Sequence, residues 1–201
     1  MTKLSGKNKA KARKKEQLQK RLSKERYIAQ FKDMILTGDN PVLTAGADLV
    51  IDGEDLGFVL TMKKVLGTSK TGVGLAAPQI GVAKQVCVIT DPKTKAQKVL
   101  INPVITKHKE EKMDGFEYCL SYPGAYAKVS RWLDITVKYL DENLKEKEED
   151  FADMAARIVQ HEIDHLQEGI CEVGKVWMEK NKWQITEKQL TENVPDAVAV
   201  Q

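Results

Sequence analysis

The chain is poor in cysteine, in histidine and in long apolar runs. Of its 201 residues, three are cysteine and three are histidine. An odd number of widely spaced cysteines makes no disulfide framework, so a reducing cytoplasm is the expected setting. No apolar run approaches the ~20 residues that a membrane-spanning helix needs. The first residues are basic and polar, which excludes an apolar secretory signal core. An organellar presequence favours Arg and Ser, whereas residues 1 to 26 hold mostly Lys, with only Ser5 and Ser23. No internal repeat is present, which excludes solenoids and propellers. The length suits one domain with a proper core rather than two.

Charge is present but unevenly spread. The formal net charge is +3. Residues 1 to 26 carry 11 Lys and Arg against Glu16 and Glu25, a net of +9, which leaves −6 for the remainder. A mildly acidic domain therefore follows a strongly basic arm. Like-charge blocks repel and bury little, so the arm reads as a solvated tail or as an electrostatic grip on RNA or another polyanion. Domain bounds follow: an arm over 1 to 26, a main domain over 27 to 192, and a frayed tail over 193 to 201.

Within the main domain the patterning mixes helical and strand periods. Ile28, Phe31, Met34 and Ile35 recur at helical spacing, and Gly38-Asp39-Asn40-Pro41 is a turn. Asp52 is placed to cap a helix running to about Leu66. Strands are expected over 84–90, 98–102 and 104–111, with Pro103 interrupting the last two. Cys87 alternates with its neighbours as a small core residue. Further antiparallel strands are expected over 127–132, 134–140 and 145–150, with Asp141-Glu142-Asn143 as a turn. Residues 170–173 suggest a short strand and 176–190 a helix. His108 lies among Lys and Glu and reads as solvent-facing. Gly72-Val73-Gly74-Leu75-Ala76-Ala77-Pro78-Gln79-Ile80-Gly81 suits close backbone approach to a ligand. It is no phosphate loop, because no Lys-Ser/Thr follows and the glycines lack nucleotide spacing.

The other two histidines fall in Gln160-His161-Glu162-Ile163-Asp164-His165. Residues four apart share a helix face, so His161 and His165 can hold one metal ion, with Glu162 beside it to take a proton. Met154, Ala155, Ile158, Val159 and Leu166 form an apolar stripe at helical spacing. Asp150 is expected to cap the helix with Asp153, and Gly169 to stop it. An ordinary amphipathic helix with satisfied histidines is the alternative. A third ligand would separate the two. Cys119, in Glu117-Tyr118-Cys119-Leu120-Ser121, is a candidate, since a thiolate and two imidazoles leave a fourth position for water. A buried free cysteine is the other reading of that residue. Glu168, Glu172 and Glu179 are rival third ligands.

Residues 72 to 79, 117 to 121 and 160 to 166 together resemble the three signature motifs of peptide deformylases, in order and at compatible separations, over roughly residues 30 to 180. The resemblance implies a single mixed α+β domain, with antiparallel strands around a central metal-binding helix. It implies removal of the N-formyl group from formyl-methionine at the start of new polypeptides, with release of formate. One divalent ion is implied, commonly iron(II), with zinc, nickel or cobalt able to substitute. Cys119, His161 and His165 would be its ligands and Glu162 the acid–base group. Gln79 and the Leu120 N–H would stabilise the oxyanion. Val73, Gly74 and Tyr118 would hold the substrate backbone, and Val73, Met154 and Ile158 would line a methionine pocket. Glu117 and Arg131 would form a buried pair that steadies the Cys119 loop. The implied partners are N-formyl-methionyl nascent peptides, with ribosome or RNA contact through the arm and none with a membrane. Tyr118 departs from the glycine usual at that position; if positive φ is required there, Tyr would be strained.

Overall fold

The computed structural model describes residues 33–51 and 54–180, together with Arg13, Lys14, Gln17, Lys20 and Phe31. Apart from four of those residues, the basic arm lies outside the described residues, as do Ile28, the capping role expected of Asp52 and the tail from residue 193. The described part is a mixed α+β fold with antiparallel sheets. Helix α1 (Pro41–Thr44) is capped by Asn40, whose side chain accepts from Val42 N at 3.0 Å. Helix α2 spans Phe58–Thr68. Strands β1 (Gly74–Ala76), β2 (Val86–Thr90) and β3 (Gln97–His108) follow, with a 3₁₀ turn over Ala77–Ile80 after β1. Then come β4 (Lys112–Tyr118), β5 (Tyr126–Trp132), β6 (Asp134–Leu140), β7 (Glu146–Ala152), α3 (Asp153–Gln167) and α4 (Glu172–Lys180).

Five strands make one antiparallel sheet in the order β1-β2-β3-β6-β7, and β4 pairs with β5 in a second sheet. Strand side chains alternate between faces. In β2 this sends Cys87 and Ile89 towards α3, where Ile158, Val159 and Leu166 meet them. Val86 and Val88 go the other way, to Val59, Met62 and Val65 of α2. The sheet is thus covered on both faces, and Cys87 is the core residue its pattern implied. Burying each such Val, Ile or Leu contributes roughly 1.5–3 kcal/mol. The outer strand β7 instead exposes Glu146, Lys147 and Glu148, and charge at an edge discourages pairing with another chain. A third cluster, with Tyr122, Ala127, Val129 and Val173, joins the two-stranded sheet to α4.

Several expectations are corrected. Pro103 does not split a strand. Residues 97–108 form one strand with a bulge, and Asn102 (φ +50) at that bulge exchanges two hydrogen bonds of 2.9 Å with the Val50 backbone. A bulge leaves a residue out of the ladder, so proline's missing N–H costs nothing there. Asp150 does not cap α3; it lies in β7 and accepts from Thr136 Oγ1, while Ala152 holds the cap position. Helix α2 begins at Phe58, not near residue 52, after an Asp55–Gly57 turn closed at 2.8 Å. Residues 112–118, given no element from sequence, form β4. The strand expected over 170–173 is instead the lead-in to α4, which starts at Glu172 rather than 176. His108 is exposed as expected and stacks on Trp132 at 3.9 Å.

Gly169 ends α3 with φ +76, and a Cβ there would lie 2.7 Å from backbone atoms of Thr44 and Ala45. Neither neighbour can move without disturbing α1. Gly169→Ala is expected to destabilise the fold by about 2–4 kcal/mol in urea unfolding, through strain and overpacking together. A loss below about 0.5 kcal/mol would contradict this packing.

Candidate metal centre

Helix α3 crosses the sheet with an almost wholly buried face. His161, Glu162 and His165 are each at most 1% exposed. Their burial requires the groups around them to meet their polar atoms. Glu117 of β4 meets one of them, His161 Nδ1. One oxygen accepts from Arg131 Nε at 2.9 Å and Arg157 Nη1 at 2.8 Å, and the other from Arg131 Nη2 and His161 Nδ1, both at 2.9 Å. Burial alone would raise this carboxyl; Arg131 first, and then His161, bring it down to about 2. Arg131 also reaches Asp164 at 2.8 Å, so β4, β5 and α3 are tied at one point. The Glu117–Arg131 pair expected from the resemblance is therefore present, and Arg157 is a member that sequence reading missed.

This bond selects the His161 tautomer. A carboxylate that accepts at Nδ1 leaves Nε2 with its lone pair. His161 Nε2 is buried and has no hydrogen-bond partner among the described residues. His165 Nε2 lies 3.2 Å from Cys119 Sγ. The ligand atoms of Cys119, His161, His165 and Cys171 all lie within 4.8 Å of one another, and all four residues are buried. Two sulfurs and two imidazole nitrogens, one of them orphaned, suit a borderline divalent metal. Cys171 was not foreseen. Its only signal was a third cysteine soon after His165, with Gly169 between them to turn the chain back.

The remaining candidates take these places. Gln79 is buried in the 3₁₀ turn; its Oε1 accepts from Ala76 N at 2.8 Å. That leaves Nε2 facing Ser121 Oγ at 3.1 Å and Cys119 Sγ at 3.5 Å. Leu120 borders a cleft of about 400 Å³ with Ile35, Val65 and residues 68–71. Gly74 lies in β1, the outer strand of its sheet, and a Cβ on it would sit 2.1 Å from Glu162 Oε1. Only glycine lets the strand pass so close. Val73 and Met154 pack against the cluster that contains Ile158. Met154 also borders a separate surface cavity with Asp91 and Phe151, two turns along α3 from Glu162. Tyr118 ends β4 opposite Tyr126, and its φ is not positive, so it carries no strain of that kind. Glu168 and Glu172 both bind Lys175 and stand apart from the four donors.

Glu162 Oε2 also has no hydrogen-bond partner among the described residues. Burial pushes this carboxyl up to about 7, against the opposing pull of His161 and His165. A group that exchanges its proton near neutrality suits acid–base work.

Glu117 supplies a pH test of the network. Its folded-state value lies below the ordinary one, so its contribution is full above about pH 4.5 and fades as pH falls towards 2. Glu117→Gln is expected to cost on the order of 3 kcal/mol at pH 7. In denaturant melts, the gap between wild type and variant should narrow steadily below pH 4.5. A gap that does not depend on pH would refute this account.

Comparisons with known proteins give the chain's family. The sequence model of the polypeptide deformylase family matches residues 32–180. A peptide deformylase of Pseudothermotoga lettingae is 49% identical over 96 residues, 48% of this chain and 54% of its own length. One from Fusobacterium nucleatum is 49% identical over 105 residues, 52% of this chain and 59% of its own length. The match thus spans little more than half the length of these curated relatives. Among solved structures, the deformylase of Vibrio parahaemolyticus bacteriophage VP16T in complex with actinonin has a TM-score of 0.63 and 36% identity, covering 68% of this chain and 98% of its own. The class I type b peptide deformylase of Acinetobacter baumannii has a TM-score of 0.62 and 32% identity, covering 68% and 94%. With most of its length matched by that family model, the chain belongs to the polypeptide deformylase family.

Proposed function

We propose that the chain is a metal-dependent peptide deformylase that hydrolyses the N-formyl group of formyl-methionyl peptides and releases formate. The observation that carries this is the convergence of Cys119, His161 and His165 around a buried Glu162 at the edge of β1. A divalent ion held by those three residues, iron(II) or one of zinc, nickel and cobalt, supplies Lewis acidity towards water and the formyl oxygen. Glu162 then takes a proton from water and returns it to the leaving methionyl amine. Gln79 Nε2 is aimed at the ligand cluster because Ala76 N holds its Oε1, so it is placed to stabilise an oxyanion together with Leu120 N–H. An outer strand can accept a peptide backbone as a further strand, which assigns backbone binding to Val73 and Gly74, with Tyr118 as a further backbone contact. The apolar surface at Val73, Ile158 and Met154 receives the methionine side chain. The metal-binding helix, the main domain over 27 to 192 and a cytoplasmic setting belong to the same reading; no helix among the described residues is long and apolar enough to cross a membrane.

Formate release from a short formyl-methionyl peptide tests the assignment. Cys119→Ala, His161→Ala and His165→Ala are each expected to lose bound metal and activity together. Glu162→Ala should keep the metal and lose about 10²–10⁴-fold in kcat. Gly74→Ala should likewise keep the metal and lose kcat, because its Cβ displaces the Glu162 carboxylate. Near-normal kcat in Glu162→Ala would sink the acid–base role.

The basic arm belongs to the same proposal as a tether to ribosomal RNA, since a net of −6 in the rest of the chain would otherwise be repelled by phosphate. Deleting residues 1 to 26 should leave kcat/KM on a short peptide nearly unchanged and weaken co-sedimentation with ribosomes. The full chain's binding should fall steeply with salt. Equal sedimentation of both forms at low salt would reduce the arm to a passive tail.

A further inference from the structure

We infer that Cys171 is a fourth protein donor to the metal of this site, closing a shell of two sulfurs and two imidazoles that must open before water or substrate can enter. The inference rests on the reading that Cys119, His161 and His165 hold a metal, and it adds a residue that reading does not need.

The ordinary role for a buried cysteine is that of a small apolar filler. Cys171 does fill part of the third cluster, together with Cys119 and Val173. Its sulfur, however, lies among donor atoms. Every pair of the four is within 4.8 Å. Metal–sulfur bonds of about 2.3 Å and metal–nitrogen bonds of about 2.0 Å on a tetrahedron place donors roughly 3.3–3.8 Å apart. Movements on the order of 1 Å would therefore bring all four to bonding positions, within the ordinary play of side-chain torsions.

The backbone around Cys171 is held from several sides. Gly169 turns the chain directly after α3, against Thr44 and Ala45. Ala47 N then donates to Leu166 O at 2.9 Å, just before that turn. Lys175 N donates to Cys171 O at 3.1 Å, which starts α4 at this residue. Lys175 Nζ joins Glu168 before the cysteine to Glu172 after it, at 3.0 and 2.7 Å. Tyr122 stands between the two helices, its ring parallel to His165 at 6.4 Å and tilted against Trp177 of α4 at 5.9 Å. Cys171 is therefore fixed on the wall that carries His165, while Cys119 arrives on the loop after β4. The two sulfurs reach one point from separate elements.

A closed shell has chemical consequences. Two thiolates donate more charge than one, so the ion is less acidic towards water and prefers zinc or cobalt to iron. A catalytic site needs an open position, which Cys171 occupies in the resting state. Displacement of this one sulfur, with Cys119 and both imidazoles retained, restores the three-ligand arrangement. Cys171 is thus a latch on the site and not part of its chemistry.

The test uses the full chain, reduced and loaded with Co²⁺. Sulfur-to-cobalt charge-transfer absorption in the near ultraviolet scales with the number of bound sulfurs. Cys171→Ala and Cys171→Ser are expected to show roughly half the wild-type intensity per cobalt, and to release Co²⁺ to a chelator about tenfold faster or more. X-ray absorption at the cobalt edge of the unmutated protein should count two sulfurs, a result that does not depend on how either variant folds. Equal charge-transfer intensity in wild type and variants, or a count of one sulfur, would overturn the fourth-donor assignment. If Cys119→Ala then abolishes the band, the three-residue site survives that failure. No sulfur band in wild type would overturn both readings.

Discussion

A carboxylate removed from water costs several kcal/mol unless other groups replace its solvent, and Glu117 is fully buried. Its two oxygens accept four hydrogen bonds, from Arg131 twice and from Arg157 and His161 once each. This requirement organises the structure around it. Arg131 comes from β5, Arg157 and His161 from α3, and Glu117 from β4, so satisfying one anion sets the two-stranded sheet at a defined angle and height on the helix. Arg157 also donates to the carbonyls of Val129 and Met113, one on each strand of that sheet. Cys119 follows Glu117 by two residues. Its sulfur reaches His165 because the strand that carries it is anchored to the helix turn that carries His161.

The second constraint is dryness. Burial among protein groups pushes the Glu162 carboxyl up to about 7. The same enclosure leaves no room for a side chain on Gly74. Those two facts have one cause, the close passage of β1 over α3. The outer strand of the sheet therefore shields that buried carboxyl. Gln79 completes the arrangement through its backbone partner: with Oε1 held by Ala76 N, its amide nitrogen has nowhere to face but the Cys119 loop.

Departures from the family pattern can be judged from the same geometry. Tyr118 stands where the family usually has glycine, yet its backbone is ordinary strand paired with Tyr126, so the substitution alters the rim without straining the loop. Cys171 departs further, since it brings a second buried sulfur within 4.8 Å of the one that the sequence motifs provide.

By itself, the amino-acid sequence determined the local facts. Four-residue spacing on an apolar-striped segment put His161 and His165 on one helix face, and alternation in residues 86–89 assigned Cys87 and Val88 to opposite sides of a sheet. Three ordered motifs pointed to the family, and through it to Cys119 and Gln79. Element boundaries were less legible: Pro103 looked like a strand break because a bulge leaves no mark in hydrophobic period, and Asp150 looked like a cap because its partner on β6 is distant in sequence. Tertiary structure alone decided which separate segments meet. Nothing local to Arg157 marks it as the second donor to Glu117 Oε1, since an arginine on a helix ordinarily faces water. Nothing local to Cys171 marks it as a neighbour of Cys119, because that distance depends on a left-handed turn at Gly169 and on the docking of α4 against Tyr122. Side-chain period is a property of one segment, whereas proximity between segments follows from how all their buried surfaces and charges are satisfied at once.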